Sequence, residues 1–304
     1  MFISKKNIFV VFCTGLLFLA SCSTDDVIKD DITNPNPNNL RTLVDNGLTR
    51  YYDLNLPADF DETASYPLMI NFHGFGGDAE EYSANIENDY NMEALVDSEQ
   101  FITVYPQGVI RAKGAPEWDP GDNGSQNIEE NDVYFTEMLI QQLHNQFNID
   151  LSRVYAVGYS NGGMMAYGLA CSRSDLIAAA GIMSGIMLGE SCDGAGTTPI
   201  IHFHGVEDEV LPYEGNADYQ SVSSVVDIWL DQNNIPASSL VSTSLRNGDV
   251  IRDVYTGGDE GSEFVLYTIN NEFEKGGGHV WFSESIDGST PNEILWDFLS
   301  RFTL

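Results

Sequence analysis

Basic residues are scarce in this chain. Thirteen lysines and arginines face 46 aspartates and glutamates, for a formal net charge of −33 at pH 7. Nucleic acids and anionic membrane surfaces are bound by concentrated positive charge, so this balance argues against either as a partner. Long apolar runs are also missing. The longest, Ile8 to Ala20, is too short to span a bilayer comfortably. There is no internal repeat and no clean linker within residues 43–304, so one folded domain is expected there. Only five histidines and four cysteines are present. His202 and His204 fall two apart, on one strand face, with Asp208 nearby. No second ligand motif accompanies them, so no metal and no other cofactor is expected, and the pair is assigned to packing or hydrogen bonding.

What the chain does have begins with a targeting pattern in residues 1–21. Lys5 and Lys6 precede the apolar run, which ends in Leu19-Ala20-Ser21-Cys22. That tetrapeptide resembles the bacterial lipobox, in which the cysteine is lipidated and becomes the mature N-terminus. Cys22 is therefore the expected lipidation site, and the lipid the expected membrane attachment. Residues 22–42, with four aspartates and Asn34-Pro35-Asn36-Pro37-Asn38-Asn39, have almost nothing to bury and read as a disordered tether. An exported protein that loses Cys13 and lipidates Cys22 keeps only Cys171 and Cys192, the expected disulfide.

The remaining pattern alternates strands and helices. Tyr51 to Leu56, Pro67 to Phe72, Phe101 to Tyr105, Ala178 to Met183, Ile200 to Phe203, Ile251 to Tyr255 and Glu263 to Ile269 read as strands. Met92 to Asp97, Val133 to Phe147, Ala217 to Gln232 and Pro291 to Phe302 read as helices, the last opened by a proline. This is an α/β chain whose mostly parallel sheet is covered by helices on both faces. A loop rich in Gly, Pro and Asp, residues 107 to 127, carries Trp118 and is long enough to suggest function.

One stretch organises the chemistry. A β-rich run from Arg153 ends in Gly158-Tyr159-Ser160-Asn161-Gly162, and a small-residue helix follows. In that context G-x-S-x-G is a nucleophile elbow, with the serine Oγ exposed above the sheet. A serine hydroxyl needs a base and an acid. Three histidines follow Ser160, and only His279, in a glycine-rich loop, also follows a credible acid loop. It is the expected general base. Asp208, in the turn after Ile200 to Phe203, is the expected acid, with Glu207 and Glu209 as rivals. Acyl transfer also needs oxyanion donors. The backbone N–H of Asn161 should supply one. The loop His73-Gly74-Phe75-Gly76-Gly77 should supply the other, through Phe75 or its rival Gly74.

Six segments carry a wider resemblance. They are His73-Gly74-x-Gly76-Gly77, Tyr105-Pro106-Gln107-Gly108, Asp132-Val133-x-Phe135, the run Gly158 to Tyr167, His204-Gly205-x-x-Asp208-x-x-x-Pro212-Tyr213 and Gly278-His279-x-Trp281. Together they resemble secreted serine esterases: polyhydroxybutyrate depolymerases and the feruloyl or acetylxylan esterases of carbohydrate esterase family 1. The resemblance spans roughly residues 50 to 302. It implies an α/β-hydrolase fold and a Ser160, Asp208, His279 triad. One departure is Phe282, where many members carry proline. Trp118 and Trp281 are the expected substrate-binding aromatic walls.

The function expected is exported carboxylic-ester hydrolysis through an acyl-enzyme. The partner is an ester-bearing polysaccharide, losing acetyl or feruloyl groups, or alternatively a polyester such as polyhydroxybutyrate. A non-catalytic binding protein on the same scaffold would lack a triad position, and a peptidase would bring a large extra domain.

Overall fold

Seven consecutive residues, Tyr66 to Phe72, are all buried, which requires a strand covered on both faces. The computed structural model describes residues 40–45, 47–121, 132–192, 196–270 and 277–304. The targeting segment, Cys22, the tether up to residue 39 and Gly276 lie outside the described residues.

In chain order the strands are β1 (Arg41–Asp45), β2 (Leu48–Asn55), β3 (Tyr66–Phe72), β4 (Ile102–Pro106), β5 (Val109–Ile110), β6 (Pro116–Glu117), β7 (Ile149–Tyr159), β8 (Ala179–Met183), β9 (Ile200–Gly205), β10 (Val241–Leu245), β11 (Val250–Tyr255) and β12 (Phe264–Ile269). The α-helices are α1 (Ala79–Ala84), α2 (Met92–Glu99), α3 (Asp132–Phe147), α4 (Asn161–Ser172), α5 (Val222–Gln232) and α6 (Pro291–Leu299). Among the described residues, ten strands form one sheet in the order β1-β2-β4-β3-β7-β8-β9-β12-β11-β10. From β4 to β12 the neighbours are parallel, and antiparallel strands extend both edges.

Side chains alternate between two cores, as the period of a strand demands. Leu68, Ile70 and Phe72 of β3 pack in the core under α3, α4 and α5. Met69 of β3 and Tyr155 and Val157 of β7 pack in the core that takes in α2 and α6. Phe282 is fully buried in that second core. After β3 the chain moves to one side for β4, then returns to the other side for β7. The strand order therefore reverses at β3, and crevices for ligands open beyond the carboxyl ends of strands at such a point.

Some boundaries differ from expectation, for local reasons. The strand β1 starts at Arg41, inside the segment assigned to the tether. Helix α5 starts at Val222 rather than Ala217, because Ser221 is extended and its side chain accepts the Ser224 N–H as an N-cap. Helix α6 ends at Leu299 and opens with a Thr290–Glu293 capping box. The long loop after β4 contains the small β5–β6 hairpin. Cys171, on α4, is bonded to Cys192, with Cα atoms 5.4 Å apart. The bridge ties the end of the elbow helix to the segment after β8.

Candidate active site

The elbow is set by two glycines. A Cβ on Gly158 would run into the Gly162 carbonyl, and a Cβ on Gly162 into the Phe72 carbonyl of β3. Helix α4 thus rests on the sheet at backbone contact. Between them Ser160 is held at φ 56° and ψ −118°, a strained conformation for a residue with a side chain. Its N–H donates to the Met183 carbonyl at 3.0 Å.

The ends of three parallel strands bring the polar groups together. His279 Nε2 lies 2.8 Å from Ser160 Oγ, and His279 Nδ1 lies 2.7 Å from Asp208 Oδ2. The carboxylate can only accept, so Nδ1 carries the proton and Nε2 is free to accept from the serine hydroxyl. The other carboxylate oxygen accepts the N–H groups of Val210 (2.9 Å) and Leu211 (2.8 Å). Burial pushes the Asp208 carboxyl up, but the hydrogen bonds from His279 and Leu211 outweigh it and hold the group below the usual carboxylate range. Glu207 and Glu209 flank Asp208 in sequence and are exposed. The histidine loop is pinned by two hydroxyls: Tyr159 donates to the His279 carbonyl at 2.9 Å and Ser184 to the Val280 carbonyl at 2.7 Å. Acid and histidine loops also touch through backbone. The Glu207 N–H donates to the Gly277 carbonyl at 3.1 Å, and a Cβ on Gly205 would strike that same carbonyl.

Behind Asp208, the histidines of β9 form a directed chain. His204 Nε2 must donate to the Leu211 carbonyl at 2.8 Å. Its Nδ1 therefore accepts from His202 Nε2 at 3.1 Å, and His202 Nδ1 accepts from the Tyr167 hydroxyl at 2.9 Å. Burial holds both imidazoles below the ordinary histidine range, so they stay neutral.

The loop after β3 is equally ordered. His73 Nε2 accepts the Gly108 N–H at 2.9 Å, so Nδ1 donates to the Gly74 carbonyl at 2.7 Å. Within this loop the Gly76 N–H is taken by the Pro116 carbonyl and the Gly77 N–H by the Gly74 carbonyl. That leaves Gly74 and Phe75 as the candidate donors. Beside the loop is a cleft of about 240 Å³ lined by Phe75, Tyr82, Asn85 and Tyr159, with Asp78 and Glu81 at its edge.

The two tryptophans expected as substrate walls are elsewhere. Trp118 is 3% exposed and Trp281 5% exposed. The Trp118 indole N–H donates to the His73 carbonyl at 2.9 Å, and the Trp281 indole N–H to Asn292 at 3.2 Å. Both are internal supports. The aromatic side chains that do line the cleft are Phe75, Tyr82 and Tyr159. Phe75 and Tyr159 lie inside the motifs, where the sequence marks the backbone and not the ring, and Tyr82 lies outside them.

A sequence profile of the phospholipase/carboxylesterase family matches residues 62–239, more than half of the chain. This chain belongs to that family. It is a carboxylic ester hydrolase with an α/β-hydrolase fold, as the resemblance implied. The esterase is 28% identical over 254 residues to a probable feruloyl esterase C from Aspergillus niger, covering 82% of this chain and 83% of that one. It is 29% identical over 255 residues to a bifunctional acetylxylan esterase/xylanase from Neocallimastix patriciarum. That match covers 83% of this chain, which spans about a third (33%) of the bifunctional protein's length. Among solved structures, an acetyl xylan esterase from Aspergillus awamori superposes with a TM-score of 0.64 at 15% identity, covering 86% of this chain and 98% of that one. A ferulic acid esterase from Anaeromyces mucronatus, solved with ferulic acid, gives a TM-score of 0.55 at 16% identity over 86% and 90% of the two chains. Both likenesses show the fold.

The esterase also buries an acid behind its cleft. Glu87 follows Asn85 on a π-helical turn and accepts the Thr103 and Tyr105 hydroxyls, each at 2.6 Å. Its Oε2 is buried without a hydrogen-bond partner among the described residues. Burial pushes the carboxyl up to about 7, aided by the charges of Asp53 and Glu93 and opposed by the two hydroxyls. The folded state therefore holds this proton more tightly than the unfolded chain. Stability contributed by the neutral acid is lost as pH rises from about 4.5 to 7, by roughly 3 kcal/mol. Glu87→Gln is expected to remove that slope and to raise the melting temperature above pH 7. Thermal unfolding across pH 5 to 8 checks it; parallel curves for both proteins would contradict it.

Proposed function

We propose that this esterase removes feruloyl groups from a polysaccharide through an acyl-enzyme on Ser160. The observation that carries the reading is the hydrogen-bonded series Ser160–His279–Asp208 beside an aromatic cleft. Ser160 Oγ attacks the ester carbonyl carbon while its proton passes to His279 Nε2. Asp208 keeps the imidazole in the required tautomer and stabilises its charge. The electron pair pushed onto the carbonyl oxygen is met by the Asn161 N–H and by Phe75 or Gly74. Collapse expels the sugar hydroxyl, which takes the proton from His279, and water repeats the sequence to release the acid.

Feruloyl is favoured over acetyl because the cleft of about 240 Å³ has tyrosine and phenylalanine walls. A planar aromatic acid gains from such surfaces, whereas an acetyl group would leave most of the space to water. The relatives named for feruloyl and acetylxylan ester cleavage support this substrate class. The same reading makes the protein an exported lipoprotein anchored at Cys22, on the strength of its N-terminal pattern.

Methyl ferulate, acetylated xylan and hydroxybutyrate oligomers should be compared side by side, together with a fluorophosphonate probe. The expected result is labelling at Ser160 and kcat/KM highest on the ferulate. Faster turnover of acetylxylan or of the oligomers would reassign the acyl group. No hydrolysis and no labelling would sink the reading.

A further inference from the structure

Trp118, expected as a substrate wall, is buried. Its surroundings give it another task. Its backbone N–H donates to Asn161 Oδ1 at 2.7 Å, and Asn161 Nδ2 donates back to the Trp118 carbonyl at 3.2 Å. The amide side chain thereby pairs with Trp118 as a neighbouring strand would. The indole N–H of the same residue reaches the His73 carbonyl at 2.9 Å. One residue thus links the segment after β3 to the residue that follows the nucleophile.

Peptide planarity gives this link its consequence. The His73 carbonyl and the Gly74 N–H belong to one trans peptide unit and point in opposite directions. Whatever fixes the carbonyl also aims the N–H. The Gly74 carbonyl, held by His73 Nδ1 and by the Gly77 N–H, aims the Phe75 N–H in the same way. Both candidate donors in this loop are therefore oriented through the hydrogen-bonded carbonyls of their own peptide units. The third donor, the Asn161 N–H, sits on the residue whose side chain grips Trp118. The Trp118 segment is itself anchored: Asp132, buried at the start of α3, accepts from the Asp119 N–H at 2.7 Å, from Arg111 at 2.7 Å and from Arg50 at 2.8 Å. The indole packs edge-on against Phe72 at 5.1 Å and tilted against His73 at 5.0 Å, so the ring has no freedom to leave.

We propose that Trp118 and the Asn161 side chain are positioning residues that set the spacing and aim of the oxyanion donors. The inference rests on the acyl-enzyme reading above. Without the brace, substrate would still bind in the cleft, but the donors would no longer converge on the oxygen as negative charge develops. The deficit should therefore appear in the transition state and not in the ground state.

Two variants test it. Trp118→Phe keeps the ring packing and deletes the indole donor. Asn161→Ala deletes both arms of the pair but keeps the Asn161 position's backbone N–H. On p-nitrophenyl acetate each is expected to lower kcat by about 10- to 100-fold with KM within about two-fold of the parent. A second measurement uses an aryl trifluoromethyl ketone. Ser160 Oγ adds to its carbonyl carbon, the carbonyl electron pair moves to oxygen, and the serine proton goes to His279, giving an adduct with the oxyanion in place. Its affinity should fall by the same factor as kcat, while the unreactive carboxamide of the acyl group binds as before. Equal losses for ketone and carboxamide, or an unchanged kcat in either variant, would overturn the proposal. If one variant fails to fold, the other decides. An inactive parent would instead remove the esterase reading, and the brace with it.

Discussion

Replacing Ser160 by alanine lowers kcat on a carboxylic ester by about 10⁴-fold or more and abolishes fluorophosphonate labelling. The side chain removed is one hydroxyl whose Oγ lies 2.8 Å from His279. The backbone around it is unaffected, because alanine meets the same steric limits at φ 56° as serine. The melting temperature should stay close to that of the parent, which separates loss of the nucleophile from loss of the fold. What activity persists should come from the oxyanion donors and from binding alone. A variant that retained a tenth of the parent rate, with the parent hydrolysing esters normally, would place the nucleophile elsewhere.

Gly162→Ala should act oppositely, on the fold before the chemistry. The added methyl would occupy the position of the Phe72 carbonyl, with the His73 carbonyl close behind. Neither neighbour is a flexible side chain. They are the last residue of β3 and the residue that follows it, in the interior of the sheet, so α4 would have to lift as a unit. Lifting it breaks the burial of Met165, Ala166, Tyr167 and Leu169. The expected cost exceeds about 4 kcal/mol, at the upper end for a single substitution. Chemical denaturation of the soluble fraction measures it. A cost under about 1 kcal/mol would mean that helix and strand are not in backbone contact.

The sequence made the local constraints plain. Gly158 and Gly162 announce the elbow because no other residue fits where two backbones meet. The central strands were visible as apolar runs, since they are buried on both faces. The pairing of Cys171 with Cys192 followed from counting cysteines. Less visible were elements with little to bury. Strand β10 is mostly exposed along its length, and α1 has only six residues, so neither leaves a pattern strong enough to read. Trp118 was misplaced for a different reason. A tryptophan in a loop rich in glycine, proline and aspartate resembles a surface residue. Its burial depends on Phe72, His73 and Asn161, which lie far from it in sequence. The second use of Asn161, its side chain, is invisible for the same reason: its partner is 43 residues away. Sequence spacing supplied candidates for Ser160, Asp208 and His279, whereas the distances among them come from loops at the ends of separate strands.

The backbone contact between the acid and histidine loops bears on how such enzymes can be recombined. Gly205 and Glu207 press on Gly277, so the two loops share one interface although 71 residues separate Asp208 from His279. A chimera that imports the histidine loop of a relative while keeping the resident acid loop would split that interface. Importing both loops together would carry it across intact. The smallest exchangeable cassette in this esterase is therefore discontinuous in the gene, and crossover points that respect it lie outside both segments and never between them.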